Sequence, residues 1–310
     1  MAESIARSSG GHATALIALS CRRLVELQAP VLADQDPEPL HQMRVALRRL
    51  RTGLRQFAPA LVMPPGVSDR RIAKIGRRLG LARDLDVLQD HLRLQLLPQL
   101  PEEEVQALRP VLKQLRRERR LAREQLVDGL RSGGYLKLLV ELQAWLRAPR
   151  FTPLGQEPLA GWQVEWALPM LAGLFSHPGW FVDDPSGDLE SLHDLRKRCK
   201  GARYALANLR PLLGDHGEAW LDRFRQVQDL LGELHDLQVL QRAIDDQLPG
   251  RLTESLPQLD GLLRERTRGH WVQWRQQAAQ LQQPDQRRRL LLELLEDSRT
   301  AVIQQGGIES

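Results

Sequence analysis

The sequence LHQMRVALRRLRTGLR, residues 40–55, has a pattern that returns as LHDLRKRCKGARYAL at residues 192–206. An offset of 152 residues, the separation of His41 from His193, aligns the two copies without a gap. Segments 79–88 and 231–240 keep the same offset. The repetition predicts two similar halves that arose by internal duplication.

Both copies have the two-sided pattern of a helix that is buried on one face. At about 100° per residue, the apolar residues and the cations of the first copy fall on separate arcs whose centres lie about 120° apart. In the second copy, the apolar residues and the cations also fall on separate arcs. The basic rows consist of His41, Arg44, Arg48, Arg51 and Arg55 in the first copy, and of His193, Arg196, Lys200 and Arg203 in the second.

Acidic residues are missing around the first basic row. None lies between Gln42 and Ala60 or within residues 70–83, although the chain carries 39 Asp and Glu against 44 Lys and Arg. Neighbouring cations on a helix repel one another by about 0.2–0.5 kcal/mol per pair, and a solvated charged face would contain interspersed acids. The segregation therefore favours a polyanion-binding site. Residues 70–83 add to this site Lys74, Arg77, Arg78 and Arg83.

The remaining sequence predicts an all-α protein. No segment shows the alternation of a β-strand, and three prolines and two glycines mark residues 149–161 as a linker. Residues 1–148 and 162–310 are each expected to form a bundle of about four long helices. No apolar run approaches the roughly 20 residues of a membrane-spanning helix, so we expect a soluble protein.

Prolines set several of the expected helix ends. We expect the first helix to end at Pro30 and residues 102–131 to be helical with a break near Pro110. The helix that Ser68 or Asp69 can cap is expected to run to about residue 97. Cys21 and Cys199 have no metal-ligand spacing, so both are expected to be buried thiols, which suits a reducing cytoplasm.

The histidines and two carboxylates have candidate roles beside the basic rows. His41 and His193 can each donate a hydrogen bond to a phosphate oxygen, and a polyanion favours their charged form. Asp84 and Asp236, which keep the 152-residue offset, are expected to orient guanidinium groups. A catalytic or metal-binding role for these carboxylates is disfavoured, because no ligand set converges with them in the sequence.

The dyads His193-Asp194 and His235-Asp236 suggest an all-helical, metal-dependent phosphohydrolase of the HD type as an alternative. The first half has Gln42 and Arg83 where the second has Asp194 and His235, so the dyads are not part of the repeated pattern. Adjacent residues on a helix also point about 100° apart. We therefore predict no catalytic residue, no metal site and no cofactor.

The paired basic helices, each followed 43 residues after its His by the Asp of an Arg/His-Asp-Leu element, resemble the CHAD family, the conserved histidine α-helical domain. The resemblance covers nearly the whole chain. It implies two helical bundles related by a pseudo-twofold around a basic central cleft or pore. It also implies binding of inorganic polyphosphate and association with polyphosphate granules. By position, the implied ligand contacts come from His41, Arg44, Arg48, Arg51, His193, Arg196, Lys197, Lys200 and Arg203.

The function expected from the residues and the resemblance together is non-enzymatic polyphosphate binding in the cytoplasm. The triphosphatase domain that is often fused to CHAD domains is absent from this sequence, which removes the usual reason to expect hydrolysis. Nucleic acid is the alternative ligand. It is disfavoured because its phosphates are farther apart and because neither basic helix is expected to interleave an aromatic residue with its cations for base stacking. No membrane partner is expected, and protein partners are left open.

Overall fold

In the computed structural model, this chain folds into α-helices. The structure describes residues 8–248 and 252–306, with side chains for 8–215, 217–248 and 252–295. Across those residues the β contacts are two isolated bridges, Ser8 with Pro158 and Leu61 with Phe151. The all-α prediction is therefore confirmed for the described chain. The longest helices are α1 Ser9–Ala33, α2 Glu38–Gln56, α3 Asp69–Asp90, α4 Arg109–Arg131, α5 Gly133–Arg147, α6 Gln163–Phe175, α7 Leu189–Asn208, α8 Asp215–Asp245, α9 Pro257–Leu281 and α10 Pro284–Gly306.

Polar side chains fix the starts of several helices. Ser68 Oγ accepts the N–H of Arg71 at 3.4 Å and begins α3, so Ser68 is the cap of the two residues that the sequence offered. Asp188 Oδ1 accepts the N–H of Ser191 at 2.9 Å and begins the basic helix α7. Each cap satisfies a backbone donor that the first turn of a helix leaves without a partner.

Three helix ends differ from the prediction. Helix α1 passes through Pro30, which removes only its own N–H bond, and stops at Ala33 because Asp34 adopts a left-handed φ of 55°. Helix α3 ends at Asp90, and the residues predicted to continue it to about residue 97 form a π-helix, His91–Leu96. The break expected near Pro110 falls at Leu108, between the short helix Glu102–Ala107 and α4.

Buried apolar side chains of both halves join into one core. Helix α3 packs against α2 and α4, helix α8 packs against α7 and α9, and α2 contacts α7 directly. The two basic helices are therefore neighbours. Cys21 and Cys199 are free and buried, as predicted. None of the helices that the structure describes combines the length and apolarity needed to cross a membrane.

The segment predicted to link the halves is bonded to the first of them. Thr152 N–H donates to Ala60 O at 3.1 Å, and Val62 N–H donates to Arg150 O at 2.9 Å. Ser9 N–H donates to Glu157 O at 2.8 Å. These bonds hold the segment, including its short helix Pro153–Gln156, along the first half of the chain.

Among the helices of 13 residues or more in the described chain, five lie in each half, where the sequence predicted about four. Helices α4 and α5 are separated by only Ser132, and α9 and α10 by only two residues. Short connections of this kind produce antiparallel neighbours.

Candidate functional site

Helices α2 and α7 meet through a buried polar contact near their C-terminal ends. Asn208 Nδ2 donates to Gln56 Oε1 at 2.9 Å, and Gln56 Nε2 donates to the backbone oxygen of Ala205 at 3.0 Å. Gln56 and Asn208 are themselves 152 residues apart, so corresponding positions of the two copies touch. We call this contact the seam. It places the two basic rows next to each other.

The ring of Tyr204 lies between cations from the two helices. The guanidinium carbon of Arg203 is 4.7 Å from the ring centroid, and that of Arg48 is 5.8 Å from it. Tyr204 is buried, with 4% of its surface exposed. The expectation that no aromatic residue is interleaved with the cations was therefore wrong. Because this ring is covered by protein, it orients guanidinium groups and offers no face for a base.

Arg44 and Arg196 occupy equivalent places over glycines of the neighbouring helices. Arg44 donates to Gly80 O at 3.2 Å and to Asp84 at 2.5 Å. A Cβ built on Gly80 would lie 3.9 Å from the Arg44 guanidinium, and one built on Gly232 would lie 3.1 Å from that of Arg196. The two glycines are again 152 residues apart, but only the missing side chain of Gly232 leaves room for an arginine, because 3.9 Å is an ordinary van der Waals contact.

Lys200 is the most perturbed cation of the site. Burial, and then the charges of Arg196, Arg48 and Arg44, lower the pKa of Lys200 from 10.5 to about 6. The carboxylate of Asp84 opposes this effect and is the smallest of these contributions. Near neutral pH, Lys200 is therefore mostly an uncharged amine that a nearby anion can protonate.

Histidines and a second carboxylate extend the site along helix α8. His193 stacks on His235 with ring centroids 4.5 Å apart. Burial, and then the charge of His193, lower the pKa of His235 to about 4. Burial also raises the pKa of Asp236 to about 6, while Arg196 opposes that rise. On the first half, burial and then Arg83 lower the pKa of His41.

Four of these residues have a buried polar atom without a hydrogen-bond partner among the described residues. Each unsatisfied buried polar group of this kind costs roughly 1–3 kcal/mol. The group therefore holds donors that are prepared for an acceptor from outside the protein. These atoms are Nε of Arg48, Arg83 and Arg196, and Nδ1 of His193.

The other predicted cations lie farther from this cluster. Arg51 forms a bidentate ion pair with Asp69, with Nε–Oδ1 and Nη2–Oδ2 distances of 2.6 and 2.9 Å. The charge of Arg55 also lowers the pKa of Asp69, after the effects of Arg51, and Arg55 is exposed. Asp69 therefore neutralises the C-terminal end of the first basic row.

The cations of helix α3 do not all point the same way. Arg77 is exposed and lies on the helix face of Gly80 and Asp84, toward α2. Arg78 packs instead against Gly129 of α4, where a built Cβ would be 2.7 Å from its Cδ, so it does not join the cluster. Lys74 is exposed, as is Lys197 of α7, which acts with burial to lower the pKa of His193.

The geometry does not assemble a metal centre. Within the described residues, no group of three or more His, Cys, Asp or Glu side chains could hold a metal ion. Asp194 turns away from His193 and bonds to His177 at 3.0 Å and to Arg198 at 3.0 Å. Asp194 thus has its own partners, and the His193-Asp194 adjacency in sequence does not become a ligand pair.

Comparison with known proteins identifies the family. The family model described as CHAD domain matches residues 15–245, well over half of the chain. The chain belongs to the CHAD family. Its fold is similar to that in the crystal structure of the CHAD domain from the plant Ricinus communis, with a TM-score of 0.62 and 24% identity over 93% of this chain and 91% of that chain.

The CHAD fold is also similar to that of PptA from Streptomyces chartreusis, with a TM-score of 0.66 and 15% identity over 88% of this chain and 99% of that chain. At these identities the two structures show the shared fold and nothing finer. No curated protein matches this sequence.

Sequence reasoning missed three features of the CHAD site. They are the Tyr204 ring, the seam between Gln56 and Asn208, and the stacking of His235 on His193. The 152-residue offset already paired Gln56 with Asn208 and Arg83 with His235. Extending the comparison beyond the cations would have flagged the pair of Gln56 and Asn208, but not the stacking of His235 on His193.

Proposed function

We propose that this CHAD protein binds inorganic polyphosphate between helices α2 and α7 and does not change it chemically. The observation that carries the proposal is the set of buried, unpaired donors contributed by both helices and their neighbours, around a lysine whose pKa is lowered by burial and by neighbouring arginines. A chain of phosphates supplies many acceptor oxygens and negative charge in series. It therefore satisfies the donors and returns the proton to Lys200.

The central contacts in this proposal come from residues whose charged ends converge. Hydrogen bonds to charged groups contribute about 1.5–3 kcal/mol each, so several acting on one chain produce tight binding. The proposed central contacts are His41, Arg44, Arg48, Arg83, His193, Arg196, Lys200 and Arg203. The proposed outer contacts are Arg51, Arg55, Lys74, Arg77 and Lys197, and the proposed orienting carboxylates are Asp84 and Asp236.

The larger arrangement follows from the repeat. We propose that the two halves derive from an internal duplication and are related by a pseudo-twofold through the seam, so that the basic rows line one central cleft. The helices found at the 152-residue offset support this arrangement. In the cell, such a protein would reside in the cytoplasm and associate with polyphosphate granules.

Nucleic acid fits the site less well than polyphosphate. The donors at the centre are buried, and the nearby ring of Tyr204 is covered, so no aromatic face is free for stacking among these described residues. Polyphosphate has no bases to accommodate. A metal-dependent phosphohydrolase is not supported either, since the described residues offer no ligand set.

The test is a binding titration with long-chain polyphosphate, competed with single-stranded RNA of equal total charge at fixed ionic strength. The site variant combines Arg48→Ala with Lys200→Ala. The matched control combines Arg147→Ala with Arg150→Ala, which removes two exposed cations elsewhere. We expect the site variant to lose at least about 100-fold in affinity, because two charge-assisted contacts disappear.

Three outcomes would contradict the proposal. The first is equal competition by RNA, which would make the site a general polyanion surface. The second is an equal loss in the control variant, which would reduce the effect to net charge. The third is release of orthophosphate from polyphosphate on addition of Mg²⁺ or Mn²⁺, abolished by His235→Ala, which would identify a hydrolase.

A further inference from the structure

Helix α4 carries a second group of cations that the repeated motifs do not include. Lys113, Arg116, Arg117 and Arg120 are all on the outer side of the helix and line one groove of about 470 Å³, which Gln247 beyond the end of α8 helps to close. None of the four forms an ion pair with another described residue. We call this surface the α4 groove.

The four cations share one side of the helix. Their spacing of three, four and seven residues places them within an arc of about 100°, opposite the buried row that contains Val111 and Leu115. From Lys113 to Arg120 the row is about 10 Å long at 1.5 Å per residue. Like charges at this spacing repel one another, so the row does not stabilise the helix.

The corresponding helix of the second half shows that the fold does not need these charges. At the 152-residue offset, the four positions are occupied by Glu265, Arg268, Gly269 and Val272 of α9. Their charges cancel, whereas the four in α4 add to +4. A charged face kept for solubility alone would be expected in both halves. The cations of α4 therefore indicate a ligand specific to this side of the molecule.

The α4 groove is separate from the proposed site at the seam. Helix α3 packs against α2 on one side and α4 on the other, so it stands between the two basic surfaces. Arg119 of α4, which lies between Arg117 and Arg120 in the sequence, faces inward and bonds to Asp34 and Asp86 across the helix interface. It fixes α4 against its neighbours and leaves the outer row for other contacts.

We propose that the α4 groove binds a second segment of a polyphosphate chain whose first segment lies at the seam, an inference that rests on the proposed function. A linear polyanion without bases fits because the described groove lining is Lys, Arg, Gln and Pro, with no aromatic residue for stacking. One long chain in both places gains affinity because binding at the second surface is intramolecular.

The experiment compares four proteins in titrations with long-chain polyphosphate at several salt concentrations. They are the wild type, the groove variant with Lys113, Arg116, Arg117 and Arg120 all changed to Ala, the site variant Arg48→Ala with Lys200→Ala, and a control with Arg22, Arg131, Arg147 and Arg150 changed to Ala. The control removes the same charge from positions outside both surfaces. Circular dichroism verifies that all four fold alike.

We expect the groove variant to bind long-chain polyphosphate at least about 10-fold more weakly than the control does, because the second segment is lost. The slope of log affinity against log salt should flatten by about 3, as four fewer phosphates are neutralised. Helix α3, which lies between the two surfaces, is about 10–12 Å across with its side chains, so tripolyphosphate is too short to bind both and should bind the groove variant and the control alike.

Two results would overturn the inference. One is a groove variant that matches the control while the site variant loses its binding, which would leave the proposed function standing without the second surface. The other, measured in parallel titrations with single-stranded RNA, is a loss of RNA binding in the groove variant that equals or exceeds its loss of polyphosphate binding, which would make the groove a nucleic-acid surface. Undiminished binding in the site variant would instead count against the proposed function itself.

Discussion

Changing Lys200 to Met is expected to stabilise the protein. Burial and the neighbouring arginines lower the pKa of Lys200 from 10.5 to about 6 in the folded protein, whereas the unfolded chain restores the ordinary value. At pH 7 folding must therefore remove the proton of this amine. Neutral pH lies about 3.5 pH units below the ordinary pKa, and each unit corresponds to about 1.4 kcal/mol, so this step costs about 5 kcal/mol.

Methionine has a side chain of similar length and no proton to lose. We expect Lys200→Met to raise the free energy of unfolding at pH 7 by at least about 2 kcal/mol and at most about 5 kcal/mol. The gain should be largest below about pH 6, where the folded protein must hold a charged amine in its buried site. It should shrink as the pH rises toward 10.5 and the unfolded chain loses the same proton.

Urea unfolding followed by circular dichroism at pH 7 and pH 9.5 measures this difference. Lys197→Met serves as the control, because Lys197 is exposed on the same helix and should gain no comparable stability. A gain in the Lys200→Met variant that is absent at pH 7, or that does not diminish at pH 9.5, would refute the reasoning. Added polyphosphate should stabilise the wild type more than the Lys200→Met variant, since only the lysine can take up a proton.

Three further predictions concern the same site. Polyphosphate affinity should rise as the pH falls from 8 toward 6 and level off below the pKa of Lys200, because the bound anion raises that pKa above its value in the free protein. Binding titrations across this pH range measure the rise. The Lys200→Arg variant should show a flatter dependence of affinity on pH. Gly80→Ala should leave polyphosphate binding unchanged and stabilise α3 by about 0.5–1 kcal/mol. Gly232→Ala should weaken binding, because a Cβ at residue 232 crowds Arg196 whereas one at residue 80 does not crowd Arg44. Thermal unfolding and binding titrations test both variants. Gln56→Leu should destabilise the protein by about 1–3 kcal/mol, because the amide of Asn208 loses its acceptor at the seam, and urea unfolding measures the loss.

Much of this molecule was accessible from its sequence. The helical period of residues 40–55 and 192–206 identified α2 and α7 with their buried and basic faces, because 3.6-residue periodicity is a local property of the chain. The 152-residue offset also indicated that the two helices play corresponding parts. The family followed from the same residues.

Other features depend on contacts between distant segments. Nothing local in the sequence indicates that the amide of Asn208 reaches Gln56, or that Arg48 lies against the ring of Tyr204. The continuation of α1 past Pro30 was also missed. The helix was predicted to end at this proline, but it ends three residues later, at Ala33, because Asp34 adopts a left-handed backbone conformation. The direction of the Arg78 side chain could not be predicted either, since it depends on the position of α4, against which the side chain packs at Gly129.

The seam has a consequence for the lifetime of the protein. Gln56 and Asn208 join helices from opposite halves inside one connected core, so opening either half breaks a contact of the other. Polyphosphate held across that junction would add about 2.7 kcal/mol to the stability of the whole chain when its free concentration is about 100 times the dissociation constant. Proteases act on opened chains, so the abundance of this protein would follow the supply of polyphosphate without any change in its synthesis.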